Sequence, residues 1–193
     1  MKIFGITGNI ATGKSAVTNY LRNLNYTVIC ADEIYNELLK TDKKLLKAIS
    51  QNFPNAIEKN GALNKKKLAD IVFNDSKKLK ILNKITHPFV INKINKILKN
   101  YKSEKIIFLS APLLIESGIH KMCDKIICLT TIKKLQIERL KQRNPLLSKK
   151  EIISRISAQM PSAEKIKYSD FIIKNTKDLK NLYKQVDNIL KKI

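Results

Sequence analysis

Lys2-Ile3-Phe4-Gly5-Ile6-Thr7-Gly8-Asn9-Ile10-Ala11-Thr12-Gly13-Lys14-Ser15 decides how the rest of the chain is read. Residues 2–7 are a short apolar run rich in β-branched and aromatic side chains, which predicts a buried strand. Gly8 and Gly13 then frame four residues ahead of Lys14-Ser15, matching the phosphate-loop pattern G-x-x-x-x-G-K-[ST]. Glycines let the backbone curl until successive N–H groups face inward, and the helix that follows adds its positive end. Lys14 then reaches the β- and γ-phosphates of a nucleoside triphosphate, and the Ser15 hydroxyl ligates Mg²⁺. Asn9, Ile10, Ala11, Thr12 and Ala16 complete the expected nucleotide cradle. A dinucleotide-binding fold needs G-x-G-x-x-G, which is absent, and has no use for Gly-Lys-Ser.

Lys14 to Asn23 carries Ala16, Val17, Tyr20, Leu21 and Leu24 at helical spacing. Further strands are expected at Thr27–Cys30, Ile106–Leu109 and Ile126–Leu129, with a weaker one at Phe171–Ile173. Helical patterns lie between them. Strands alternating with helices imply an α/β fold with a parallel sheet covered on both faces. Residues 62–100 break the alternation, because Leu63, Leu68, Ile71, Val72, Leu79, Leu82, Ile85, Ile91, Ile94, Ile97 and Leu98 keep helical spacing without a strand. That stretch predicts an inserted helical lobe. Residues 140–168 are polar and broken by Pro145 and Pro161, which suits a mobile lid. The core is then left to residues 1–61, 101–139 and 169–193, closing with an amphipathic helix that buries Leu179, Leu182, Val186, Ile189 and Leu190.

The chain has 193 residues and a net charge of +22, from 38 basic and 16 acidic side chains. The lysines are spread along the whole chain among many Ile and Asn, so we read the charge as compositional background and expect no specific nucleic-acid partner. Arginine is sparing: Arg22, Arg139, Arg143 and Arg155 are the whole set. Three of these fall close together, where planar bidentate donors suit phosphate. Cys30, Cys123 and Cys128 have no paired spacing with each other or with His87 and His120. We expect reduced thiols and no metal site built of Cys and His. No apolar run approaches the ~20 residues of a membrane span, and the strand-like start lacks the form of a cleavable leader. A cytoplasmic protein with no membrane partner, monomeric or weakly self-associating, is the expectation.

Position alone leaves two roles open at several residues. Asp32 follows the second strand at the edge where ligands bind in open α/β sheets; it either accepts a proton from an attacking hydroxyl or caps the next helix. Glu116 is either close to Mg²⁺ or substrate, or a surface carboxylate. His87 precedes Pro88 at the seam of two helical patterns.

Taken in order, these pieces resemble the dephospho-CoA kinase family over nearly the whole chain. The resemblance rests on Thr7–Ser15, Ala31-Asp32, Asn60-Gly61-Ala62-Leu63-Asn64, Ile71-Val72-Phe73, Thr86-His87-Pro88 and Ala111-Pro112-Leu113-Leu114-Ile115-Glu116-Ser117-Gly118. Cys123-Asp124, Arg143, Ser157-Ala158-Gln159-Met160 and Ser169–Asn175 extend it. It implies a P-loop NTPase-like three-layer α/β/α core with a five-stranded parallel sheet, a helical substrate lobe and a helical lid. It also implies transfer of the ATP γ-phosphoryl group to the 3′-hydroxyl of dephospho-CoA, the last step of CoA synthesis, with Mg²⁺ as cofactor.

By the same resemblance Asp32 is the acid/base carboxylate, assisted by Lys14, Arg139 and Arg143. Asn175 approaches the adenine, and His87, Pro88, Leu114, Glu116 and Arg155 serve the substrate. Three departures stand out. Ala11 replaces a usual Gly, which is harmless at negative φ and costs about 1 kcal/mol or more at positive φ. Cys30 replaces a usual Asp, and Lys65 a usual Arg. A nucleoside or nucleotide kinase shares the loop, lobe and lid. A regulatory GTPase would want Asn-Lys-x-Asp, and Asn83-Lys84-Ile85-Thr86 lacks the Asp.

Overall fold

Every strand expected from an apolar run forms in the computed structural model, which describes residues 1–193. The chain opens with β1 (Lys2–Gly8), α1 (Lys14–Asn23) and β2 (Thr27–Cys30). Four helices follow: α2 (Ala31–Thr41), α3 (Lys43–Asn52), α4 (Lys65–Phe73) and α5 (Ser76–Lys99). Then come β3 (Ile106–Ser110), β4 (Lys125–Thr130), α6 (Lys133–Arg143), α7 (Lys149–Ser157), α8 (Ser162–Ile166), β5 (Phe171–Lys174) and α9 (Leu179–Leu190). Contacts divide these into two units, Met1–Cys30 with Tyr101–Ile193, and Ala31–Asn100.

The first unit is an α/β layer structure. Its five strands run in the order β2-β3-β1-β4-β5, every pair parallel, with Phe4 opposite Phe108 on one side and Lys125 on the other. Alternation along β1 sends Phe4 and Ile6 to the face covered by Val17 and Leu21 of α1 and by Leu182, Val186 and Ile189 of α9. Each such side chain, fully buried, contributes roughly 1.5–3 kcal/mol. Gly5 faces the other way, where a Cβ would stand 2.7 Å from Leu114 Cδ2 and 2.9 Å from Cys123 Sγ. That close approach needs glycine, and α8 packs on β1 and β4 from this second side. Cys128 is buried and Cys30 and Cys123 half-buried, all as free thiols.

Two expected core positions lie outside. Leu24 is 42% exposed because α1 ends at Asn23 and the chain turns at Asn25, φ 61°, toward β2. Leu179 is 56% exposed as the first residue of α9, beside the Asp178 cap.

The second unit is all-helical. Leu82, Thr86, Val90, Ile94 and Leu98 form a stripe along α5, against which α2, α3 and α4 pack. Ile34, Leu38, Leu39, Leu45, Ile49, Phe53, Leu68 and Val72 fill the space between. Asp42, Asn64 and Asp75 cap α3, α4 and α5 with their side-chain oxygens. Helices α2 and α3, which the reading gave to the core, therefore group with α4 and α5. The two helical patterns expected to meet at His87-Pro88 are one helix, and Pro88 sits inside it. Its ring removes one backbone bond, and the buried stripe carries the helix through. No helix is long and apolar enough to cross a membrane.

Candidate active site

β1 delivers the chain into the glycine loop at the carboxyl edge of the sheet. Gly8 (φ 144°) and Gly13 (φ 102°) both take positive φ. A Cβ on Gly8 would lie 2.4 Å from the Leu129 carbonyl, and one on Gly13 2.2 Å from Asn175 Nδ2, so neither position admits a side chain. Ala11 also has positive φ, 62°. It therefore occupies the left-handed region that costs an L-residue about 1–2 kcal/mol, the unfavourable branch of the expectation.

Side chains hold the loop by its carbonyls. Lys14 Nζ donates to the carbonyls of Gly8 (2.7 Å) and Asn9 (3.1 Å), and Thr12 Oγ1 also donates to Asn9 (2.8 Å). Gln136 Nε2 donates to the Ile10 carbonyl at 3.0 Å, Arg139 Nη1 to Ala11 at 3.3 Å and Asn175 Nδ2 to Thr12 at 2.9 Å. Each carbonyl from Gly8 to Thr12 is thus drawn toward the protein. None of these bonds uses the N–H of Ala11 or Gly13. The first turn of α1 carries no acidic residue, so the positive end of the helix adds to these amides undiminished. The arrangement is suited to a polyphosphate.

Arg139 also donates to Asn175, at 3.3 Å to its carbonyl and 3.4 Å to its Oδ1, so in this geometry it braces the loop. Asn175 is buried just past β5, and Thr131 donates to its carbonyl at 2.7 Å. Arg143 is exposed at the last position of α6, and Arg155 is half-buried in the last turn of α7. Leu114, expected on the substrate side, is wholly buried with its side chain against Gly5. Glu116 is likewise engaged inside the protein. Its Oε1 accepts from Lys165 Nζ at 2.8 Å and from the Met160 N–H at 3.1 Å. Asp32, His87 and Pro88 belong to the helical unit. Asp32 is exposed in the first turn of α2, which already starts at Ala31, so it is not the helix cap.

Three residues of this network escaped the sequence reading as functional positions. Gln136 stands three residues before Arg139, a spacing that puts both on one face of α6. Gln159 Oε1 accepts the Ile10 N–H at 2.7 Å. Lys165, wholly buried, resembles every other lysine of a lysine-rich chain until its surroundings are known. Burial raises the pKa of Cys128 against the lowering pull of the Ser169 hydrogen bond and of Lys165 and Lys14, and pushes the Cys123 thiol up to about 12. Both stay protonated at neutral pH.

No group of three or more His, Cys, Asp or Glu is placed to hold a metal ion. The donor available at the loop is the Ser15 hydroxyl, at the exposed start of α1. One hydroxyl suits Mg²⁺, which keeps several waters and takes its other ligands from substrate phosphates.

The family model described as dephospho-CoA kinase matches residues 2–181. A relative named dephospho-CoA kinase from Fusobacterium nucleatum is 39% identical over 193 residues, covering 99% of this chain and 98% of that protein. Another of that name, from Lactobacillus johnsonii, is 35% identical over 192 residues, covering 98% and 96%. Among solved structures, dephospho-CoA kinase from Campylobacter jejuni aligns with TM-score 0.68 and 31% identity over 100% of this chain and 97% of its own. A Thermus thermophilus protein, TT1252, aligns with TM-score 0.82 and 30% identity over the same shares. Shikimate kinase from Acinetobacter baumannii, TM-score 0.60 at 14% identity over 100% of this chain and 94% of its own, shares the fold alone.

Proposed function

The chain belongs to the dephospho-CoA kinase family, and from that membership we infer that it transfers the γ-phosphoryl group of ATP to dephospho-CoA in CoA biosynthesis. The observation that carries the reading is the Gly8–Ser15 loop, whose carbonyls are tied back by Lys14, Gln136, Arg139 and Asn175. Phosphoryl transfer asks little covalent chemistry of the protein; positioning and charge stabilisation supply most of the rate.

The finer assignments follow from that chemistry. The acceptor is the 3′-hydroxyl of the ribose, and Asp32, just past the carboxyl end of β2, takes its proton. Lys14, the loop amides and the start of α1, including Ala16, steady the charge on the transferring group. Ser15 is the residue that would hold Mg²⁺, whose chemistry there is to neutralise the β- and γ-phosphate oxygens. Arg143 and Arg155 supply further cationic donors from α6 and α7. Asn175 lies on the adenine side, and His87 and Pro88 belong to the substrate lobe. The same reading takes the enzyme as cytoplasmic, monomeric or weakly self-associating.

The test is a substrate panel. The purified protein is given ATP and Mg²⁺ with dephospho-CoA, and separately with nucleosides and nucleoside monophosphates. Turnover of dephospho-CoA alone is the expected result. Turnover confined to the nucleosides or nucleotides would make this a nucleoside or nucleotide kinase.

A further inference from the structure

We propose that Gln159 is a positioning residue that holds the strained Ala11 turn of the phosphate loop in its working shape. The proposal rests on the kinase reading above and adds a residue to its machinery. Ala11 sits at φ 62° one residue after Ile10. A non-glycine residue persists in such a region only where its surroundings over-determine it. Ile10 is the handle. Its N–H donates to Gln159 Oε1 at 2.7 Å, while its carbonyl accepts from Gln136 Nε2 at 3.0 Å. The peptide group entering Ile10 and the one leaving it are therefore both pinned, and Arg139 pins the next carbonyl, that of Ala11.

Gln159 is itself anchored. The neighbouring Met160 accepts from Asn9 Nδ2 at 3.1 Å through its carbonyl and donates its N–H to Glu116 Oε1 at 3.1 Å. Glu116 is fixed by Lys165, whose third contact is the Pro112 carbonyl at 2.6 Å. The Gln159-Met160 dipeptide is thus a clip between the loop crest and a charge pair whose lysine is wholly buried. A glycine at position 11 would enter the left-handed region freely and have less need of the clip. This chain carries alanine there, so the clip and the turn are energetically coupled.

The coupling is read by a double-mutant cycle on kcat for dephospho-CoA, using the wild type, Ala11→Gly, Gln159→Leu and the double variant. Gln159→Leu should lower kcat about tenfold with little change in KM for dephospho-CoA. In the Ala11→Gly background the same substitution should cost about threefold or less. Equal losses in the two backgrounds, or no loss at all, would overturn the proposal, since a purely structural defect is not relieved by glycine at that position. Amide hydrogen exchange at Ile10 supplies a readout that needs neither activity nor a folded Gln159→Leu variant: slow exchange in the wild type is expected, and free exchange overturns the proposal. A wild type that does not phosphorylate dephospho-CoA, yet protects Ile10, would sink the functional reading and leave the clip standing.

Discussion

Lys165 has no exposed surface, and its ammonium lies 2.8 Å from one carboxylate oxygen of Glu116 and 3.0 Å from the other. Removing the carboxylate leaves a buried cation facing only the Pro112 carbonyl. A buried charge stripped of its partner costs about 3–5 kcal/mol. Glu116→Leu should therefore lower Tm by on the order of 10 °C for a chain of this size. The double variant Glu116→Leu with Lys165→Met should recover most of that loss, because neither charge remains to be desolvated. Thermal denaturation followed by circular dichroism checks both; a shift within error for Glu116→Leu would mean that the pair contributes nothing.

Ala11→Gly should stabilise the protein. Relief of the left-handed alanine is worth about 1–2 kcal/mol. The extra freedom of glycine in the unfolded chain offsets about 0.4–1 kcal/mol of it. A rise in Tm of about 2–4 °C is the expected net effect. Ala11→Val should move Tm the other way, since a β-branched side chain fits φ 62° worse than alanine does. A fall for the glycine variant would contradict the strain.

The strands were legible because each is a short apolar run that needs only its own residues to announce it. Their order was not, because β1 lies between β3 and β4 through pairings that span about a hundred residues of chain. Pro88 misled in the opposite direction. It reads as a break, yet the stripe Leu82, Thr86, Val90, Ile94 continues through it, and burial outweighs the lost backbone bond. At the site, Gly8, Gly13, Lys14 and Ser15 stood out because phosphate binding fixes their spacing. Gln136 and Lys165 did not, and Gln159 stood out only as part of a family motif, since the roles of all three exist only once the loop is folded against them. Leu114 shows the same limit in reverse: its place in a family motif said nothing of its being packed on Gly5.

Acid should reveal the tie between β4 and β5. Asp170 Oδ2 accepts the Ile126 N–H at 2.8 Å, and Oδ1 lies 2.7 Å from Lys125 Nζ. Burial alone pushes its pKa up, but the Lys125 ammonium and the Ile126 N–H together outweigh it and hold the carboxyl below its ordinary 3.8. A depressed native pKa means stabilisation that is present above the unfolded value and lost as pH falls through the native one. Asp170→Asn should therefore be less stable than wild type at neutral pH, and the gap should close as the pH is taken below the ordinary 3.8 of the carboxyl. Urea unfolding of both proteins across that range measures it; a gap that widens in acid would reverse the sign.

Lys14 and Asp32 should separate charge stabilisation from proton transfer. Lys14 Nζ donates to the Gly8 and Asn9 carbonyls, and the proposed role sets its charge against the transferring phosphate. Lys14→Ala removes that charge and two bonds that shape the loop, and turnover should fall by about 10²–10³ or more. Asp32→Asn keeps the side chain's size and removes only its basicity. An exposed residue in the first turn of α2 can lose its charge with little effect on folding. Its kcat should drop by about 10²–10⁴, the usual contribution of a positioned base, while KM for ATP stays close to wild type. The two variants thus differ in kind: the lysine change should weaken nucleotide binding as well as turnover, and the aspartate change turnover alone. Steady-state kinetics with ATP varied at saturating dephospho-CoA distinguishes them, and a near-normal kcat for Asp32→Asn would remove the carboxylate from the proton-transfer step.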